Sequence, residues 1–253
     1  PTFDLYATPE DVKNPSEVAA TLAGILNVPA ADIETRLTET RARSQPLLLR
    51  KDLDQAMMVA VEERRLDLPG INLRIRPVRA YPVAGMAANL LGYVSEINQA
   101  QLQREEYSDF RPGESLGQSG VERRFDAFIR GVDGGEQVEV DARGRALRVV
   151  SRNDPRSGSN VFLTIDRRIQ EAAEAAMAGK KGAVVAMNPT TGEILAMVSR
   201  PSFDPNLFAQ RISGEDWQRI ATDSTHPLQN RAFQAQYPPG SIFKLIVAIA
   251  GLE

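Results

Sequence analysis

Apolar residues in the first part of the chain recur at two periods. In "PSEVAATLAGILN", Val18, Leu22, Ile25 and Leu26 follow helical spacing. Asn14 and Pro15 supply a cap and a first helical residue. Ile33 and Leu37 mark one face of a second short helix in "AADIETRLTETRA". "SQPLLLRKD" reads as a strand, and Asp52 is expected to cap a third helix in "LDQAMMVAVEERR". "LPGINLRIRPVRAYP" then alternates, with Ile71, Leu73 and Ile75 on one face and Asn72, Arg74 and Arg76 on the other, a half-buried strand. The opening "PTFDLYATPEDV" reads as a strand already under way, as inside a longer protein. The region to about residue 76 is a small lobe of helices and strands without a chemical constellation.

From Tyr81 the pattern changes. "AYPVAGMAANLLGYVSEIN" holds a short helix stopped by Gly92, and "VERRFDAFIRG" another. "EQVEVDARGRALRVV" is expected to form a hairpin turning around Ala142 to Gly144. The glycines here lack the G-x-G-x-x-G and Walker patterns, so they signal turns rather than a phosphate loop. "SRNDPRSGSN" is the best domain boundary. Beyond it "VFLTID" is expected as a strand, Asp166 as the cap of the helix "RRIQEAAEAAMA", and Gly179 as its stop. In "KGAVVAMNPTTGEILAMVSRPSFDP", strands from Ala183 to Met187 and Ile194 to Val198 flank a loop ending at Gly192. Their near-continuous apolar character predicts a central place in a sheet covered by helices. The fold class is α+β, with a domain over 1–155 (its lobe about 12–76) and a second over 156–253.

Composition narrows the function classes. Net charge is −3 over 253 residues, which gives no electrostatic case for nucleic acid. Cysteine is absent, which excludes disulfides, thiolate metal sites and a cysteine nucleophile. His226, the one histidine, sits in the polar loop "DSTHPLQN" and reads as a solvated loop residue. Serine chemistry must therefore use another base. No apolar run approaches the ~20 residues of a membrane-spanning helix, and no signal peptide opens the chain.

Ser241 and Lys244 supply that alternative. They are three apart at the start of the apolar run "SIFKLIVAIAGLE", so on a helix they share a face. Pro238 and Pro239 disfavour a helix before Gly240, which puts Ser241 in the first turn. There the Ser241 backbone N–H is free to face a developing oxyanion. Half-burial of Lys244 by Ile242, Leu245 and Ile246 is expected to lower its pKa, so that its amine can take the serine proton. The chemistry is acyl transfer, without cofactor or metal. S-x-x-K alone arises by chance about once in a chain this long; the Pro-Pro-Gly-to-helix junction raises its weight.

"QNRAFQAQYPPGSIFKLIVAIAGLE" resembles the active-serine segment of class B penicillin-binding proteins. "GAVVAMNPTTGEILAMVSRPSFDPNLF" resembles the first hairpin of their transpeptidase domain, and "GQSGVERRFDAFIRGVDGGEQVEVDARGRALRVV" the segment before it. "YPVAGMAANLLGYVSEIN" resembles their pedestal, with Asn89 where relatives often carry histidine. "YPPGS", "PSFDPNLF" and "VEVDARGR" look most like the elongation-type members. The resemblance covers nearly the whole chain.

It implies a penicillin-binding or β-lactamase-like transpeptidase domain on a non-catalytic pedestal. Ser241 is the nucleophile toward the penultimate D-Ala of a peptidoglycan stem peptide or lipid II-derived glycan, Lys244 the general base, and β-lactams acylate the same serine. Implied partners are a glycan polymerase of the RodA type and a scaffold of the MreC type. The implied location is extracytoplasmic, with an anchoring helix upstream. The family's Ser-x-Asn and Lys-Thr/Ser-Gly motifs belong beyond Glu253, so the chain alone is not expected to turn over substrate. "SIFKL" departs from the commoner Ser-Thr-Val-Lys-Pro. An interaction module acting through the pedestal is the competing reading. A β-lactamase or antibiotic sensor shares the serine-lysine pair, but the long pedestal argues against it.

Overall fold

A computed structural model describes residues 2–40, 43–141, 146–209 and 212–252. The chain forms two compact units, each assembled from two separated stretches. Residues 1–79 join 130–159, and residues 80–129 join 160–253.

The first unit begins with β1 (Thr2–Ala7), followed by α1 (Pro15–Leu26), α2 (Ala30–Glu39), β2 (Leu47–Leu53), α3 (Gln55–Glu63) and β3 (Ile71–Arg76). The strands form an antiparallel sheet in the order β2-β1-β3. As the periodicity predicts, α1 buries Val18, Leu22 and Leu26, and α2 buries Ile33 and Leu37. These join Leu5, Leu53, Val61 and Leu68 in one core. Pro15 opens α1, but the Asn14 side chain makes no capping bond.

Two further expectations fail in this unit. Asp52 does not cap α3: it lies in β2, and its carboxylate pairs with Arg76. Arg76 also reaches buried Asp4 at 2.9 Å, and Asp4 accepts the Asp52 N–H at 3.0 Å. With Asp52 so engaged, Asp54 caps the helix through the Met57 N–H at 2.7 Å. The second failure is Ile75. Ile71 is buried and Leu73 packs on the core, but Ile75, near the end of an edge strand, is 71% exposed.

The next stretch carries α4 (Ala88–Leu91), β4 (Val94–Glu96), α5 (Gln99–Leu102), β5 (Ser115–Gly117), α6 (Gly120–Arg124) and α7 (Asp126–Ile129). "VERRFDAFIRG" thus forms two short helices separated at Phe125 rather than one. β4 and β5 pair antiparallel. Gly92, with φ +82, stops α4 as expected. Its glycine identity has a second cause: a Cβ there would lie 1.9 Å from the Ser119 carbonyl oxygen. Gly120 faces it with the same constraint, 2.3 Å from the Leu90 oxygen.

β6 (Gly135–Val140) and β7 (Ala146–Asn153) complete the first unit as the expected antiparallel hairpin. The turn placed at Ala142 to Gly144 lies outside the described residues. Glu139–Arg148 (2.6 Å) and Glu136–Arg152 (3.5 Å) are exposed ion pairs on it, each worth about 0–1 kcal/mol.

The second unit resumes with α8 (Arg167–Ala176), β8 (Gly182–Met187), β9 (Ile194–Arg200), α9 (Asn206–Ala209), α10 (Gly214–Ala221) and α11 (Phe243–Leu252). Asp166 caps α8 by accepting from Arg168 and Ile169 N–H groups at 2.8 and 3.2 Å. These two bonds hold its carboxyl below the usual carboxylate range. The helix ends at Ala176, before Gly179.

"VFLTID" is not a strand. It meets β9 through isolated bonds: Thr164 Oγ1 to the Ile194 oxygen (2.6 Å) and the Asp166 N–H to the Leu195 oxygen (2.9 Å). The next bonds to β9 come from a side chain on α8. Fully buried Gln170 accepts the Met197 N–H at 2.8 Å and donates to the Met197 oxygen at 3.0 Å. It also donates to Glu174 at 2.9 Å, and Glu174 pairs with Arg200 at 2.6 Å. β8 and β9 form the predicted hairpin, but among the described residues they make a two-stranded sheet. Ala196 and Val198 on β9 are buried, whereas Val185 and Met187 on β8 are about half exposed. The expected central place of both strands is therefore not observed.

The two stretches of this unit meet through specific contacts. Asn206 brackets Tyr81, accepting its N–H and donating to its oxygen at 2.9 Å each. Glu174 accepts the Ala87 N–H at 2.9 Å. Tyr93 packs on Phe208 (4.0 Å between centroids) and edge-on to Phe203 (5.9 Å). Burial in this cluster pushes the Tyr93 phenol up.

Candidate active site

The approach to Ser241 begins at β9. Ser199, buried near its end, donates through Oγ to the Gln229 oxygen (3.1 Å) and accepts the Arg231 N–H (3.0 Å). The buried Arg231 guanidinium donates to the carbonyls of Thr225 and His226. Asp223 steadies the same loop by accepting the Thr225 hydroxyl and N–H, both at 2.7 Å. Those bonds hold its carboxyl below the usual range.

Asn230, also buried, closes the following turn. It accepts the Ala232 N–H (3.0 Å), and its backbone exchanges bonds with the Gln234 side chain and N–H (2.7 and 2.8 Å). α4 reaches the same segment twice. Asn89 Nδ2 donates to the Pro227 oxygen (2.9 Å), and Asn230 Nδ2 donates to the Asn89 oxygen (3.1 Å). Asn89 Oδ1 is buried without a hydrogen-bond partner.

Beyond Gln234 the chain runs through Pro238 and Pro239 to Gly240, whose φ of +53 reverses it. A non-glycine residue rarely adopts that conformation. Gly240–Ile242 form a 3₁₀ turn that leads directly into α11. Ser241 therefore lies in the first turn, as expected, where early N–H groups lack helical partners. Lys244 follows in the first turn of α11.

The surroundings differ from the expectation. Ser241 and Lys244 are both exposed, and among the described residues no hydrogen bond joins them. Ile242, Leu245 and Ile246, expected to shield the lysine, are 74%, 68% and 59% exposed. The cause is that α11 is apolar on every side and packs against nothing that buries it among the described residues. A helix of that character belongs in an interior. His226 is exposed, and its backbone, at φ +48, serves the turn that Arg231 ties down. Among the described residues no cluster of His, Asp and Glu could hold a metal ion. Nor is any helix among them long and apolar enough to cross a membrane.

Sequence reasoning missed the buried Ser199, Asn230 and Arg231. Polar residues in "LQNRAFQ" carry no periodic signal that separates a buried clasp from a solvated loop.

The fold agrees with what comparison finds. Residues 1–163 match the family described as penicillin-binding protein dimerisation domain, and residues 182–253 the penicillin-binding protein transpeptidase domain. The chain belongs to the penicillin-binding proteins.

Within that family its curated relatives include the peptidoglycan D,D-transpeptidase MrdA of Acinetobacter baumannii. That relative is 34% identical over all of this chain and 38% of its own length. MrdA of Escherichia coli is 32% identical over 99% of this chain and 41% of its own. The chain thus spans about two fifths of the length of the curated relatives it matches. Among solved structures, a Helicobacter pylori penicillin-binding protein PBP2 in complex with MreC superposes with a TM-score of 0.79 at 25% identity. The match covers 99% of this chain and 47% of that one. Pseudomonas aeruginosa PBP2 in complex with WCK 5153 gives a TM-score of 0.56 at 38% identity over 69% of this chain and 35% of that one. The resemblance read from the motifs, to the elongation-type members, is borne out by these names.

Proposed function

We propose that this chain is the pedestal and opening part of a peptidoglycan D,D-transpeptidase that acts through a serine acyl-enzyme. The observation that carries the reading is the placement of Ser241 in the first turn after a positive-φ glycine, with Lys244 one turn on. Both lie in the segment matched to the transpeptidase family. Ser241 Oγ attacks the penultimate D-Ala carbonyl of a stem peptide while Lys244 takes the hydroxyl proton. The Ser241 N–H faces the oxyanion of the tetrahedral intermediate. D-Ala leaves with a proton, and an amine from a neighbouring stem attacks the ester and frees the serine. The role is cell-wall elongation at the outer face of the cytoplasmic membrane, with tethering by a helix upstream of this chain.

The test uses the protein at the full length its curated relatives have. Fluorescent penicillin is added and covalent label is followed on a denaturing gel. Wild type takes up one fluorophore, Ser241→Ala none, and Lys244→Ala a small fraction. Equal labelling of Ser241→Ala, or none of wild type, overturns the assignment.

A second reading adds to the first: the non-catalytic residues dock a scaffold of the MreC type, which supports activation of a RodA-type glycan polymerase. The match to the H. pylori complex over 99% of this chain favours it. Titration of the full-length protein with the extracytoplasmic part of such a scaffold tests it, and absence of binding at micromolar concentrations counts against it.

A further inference from the structure

We infer that Asn89 on α4 and Ser199 on β9 are positioning residues for Ser241; the inference rests on the acyl-enzyme reading above. The two hold one clasp from separate elements. Ser199 fixes Gln229 and Arg231. Asn89 fixes Pro227 through its side chain and Asn230 through its carbonyl oxygen. The clasp ends with the Gln234 bonds to Asn230.

Between Gln234 and the 3₁₀ turn, no hydrogen bond among the described residues ties residues 235–238 to the rest of the unit. The first bond after the clasp is local, from the Ile242 N–H to the Pro239 oxygen at 3.2 Å. Pro238 and Pro239 limit how this connector can bend. The chain thus enters the turn that carries Ser241 from the clasp, along a short, stiffened connector. A small displacement at its origin moves Ser241 relative to an incoming carbonyl, and attack is steeply sensitive to such misplacement.

Asn89 carries the stronger signature. Its Nδ2 is satisfied, but its Oδ1 is buried without a partner. An unpaired buried oxygen costs stability, so an apolar residue of similar size would fit the site at least as well on packing grounds alone. What asparagine alone supplies is the N–H donor that holds Pro227.

This separates positioning from scaffolding. In the full-length protein, Asn89→Leu removes the unpaired oxygen but strands the buried Pro227 carbonyl, two opposed costs of similar size, so only a small loss of melting temperature is expected. The substitution is also expected to lower the first-order acylation constant for fluorescent penicillin by about tenfold, with the non-covalent dissociation constant unchanged. Asn89→His, which restores an N–H donor, recovers most of the rate. Ser199→Ala shows the same split between rate and affinity.

Leu22→Ala, which opens the core of the other unit, is the control for general destabilisation. Its acylation constant stays at wild type at a temperature where the protein remains folded. A wild-type constant in both Asn89→Leu and Ser199→Ala overturns the inference. So does a loss in Leu22→Ala equal to theirs. If Ser241→Ala still labels, it is the acyl-enzyme reading that falls; if Ser241→Ala is silent and the clasp variants are normal, the positioning role alone falls.

Discussion

Replacing Gln170 with leucine tests how the second unit is held together. The residue is fully buried on a helix, and its amide gives β9 both bonds of one missing strand residue. Gln170→Leu strands the Met197 N–H and carbonyl and removes a donor from Glu174. Each stranded backbone group costs about 1–3 kcal/mol. The carboxylate loses a bond of about 1.5–3 kcal/mol but keeps Arg200 at 2.6 Å and the Ala87 N–H at 2.9 Å. Leucine returns roughly 1–2 kcal/mol of apolar burial. The net loss is roughly 1.5–8 kcal/mol, about 5 at the middle of that range, which for a unit of this size lowers the melting temperature by about 10–20 °C.

Trp217 provides the assay. It is the one tryptophan of the chain, and it lies in the second unit with its ring 6.4 Å from Phe208. Its fluorescence during thermal or urea unfolding therefore reports that unit. A shift below about 2 °C, or a gain in stability, refutes the claim that these bonds are made to groups otherwise shut off from water.

Other expectations follow from single positions. Gly92→Ala puts a Cβ 1.9 Å from the Ser119 oxygen at φ +82, and should cost more than about 4 kcal/mol or abolish soluble expression. Gly24→Ala, in α1 with nothing within 4 Å, should instead stabilise by about 0.5–1 kcal/mol in urea titrations. The Asp166 carboxyl is held low by the N–H groups of α8. Its contribution is complete above the ordinary value near 4 and is lost as pH falls through the depressed folded value. In Asp166→Asn, amide exchange along α8 should lose that acid dependence while remaining slow at neutral pH.

The legible parts of this fold were those where one physical rule acts alone. Val18, Leu22 and Leu26 were readable because a helix on a core must repeat its apolar face. The β8–β9 hairpin was readable from two apolar runs around "NPTTG". Legibility failed where polar side chains do the work of backbone. Gln170 and Glu174 carry no apolar signal in the sequence of α8, yet they are buried against β9 and Arg200. "VFLTID" has the composition of a strand, but helix α8 follows so closely that it makes only isolated bonds to β9. Asp52 and Asp54 are equivalent as caps by sequence, and only Arg76, 24 residues from the first, decides between them. At the site, Ser241, Lys244 and Gly240 were visible because local chain chemistry dictates a turn into a helix. The clasp behind them was not, because Asn89 and Asn230 are 141 residues apart.

The interleaving of the two units constrains how the chain can be made. Residues 80–129 leave the ribosome well before Phe203, Asn206, Pro227 and Asn230, against which they settle. During synthesis that middle stretch is an unmatched half, with the Tyr93 ring uncovered until more than a hundred further residues have emerged. Order of translation and order of assembly therefore run against each other, and excising residues 1–163 as an independent domain carries the same orphaned surface into the test tube.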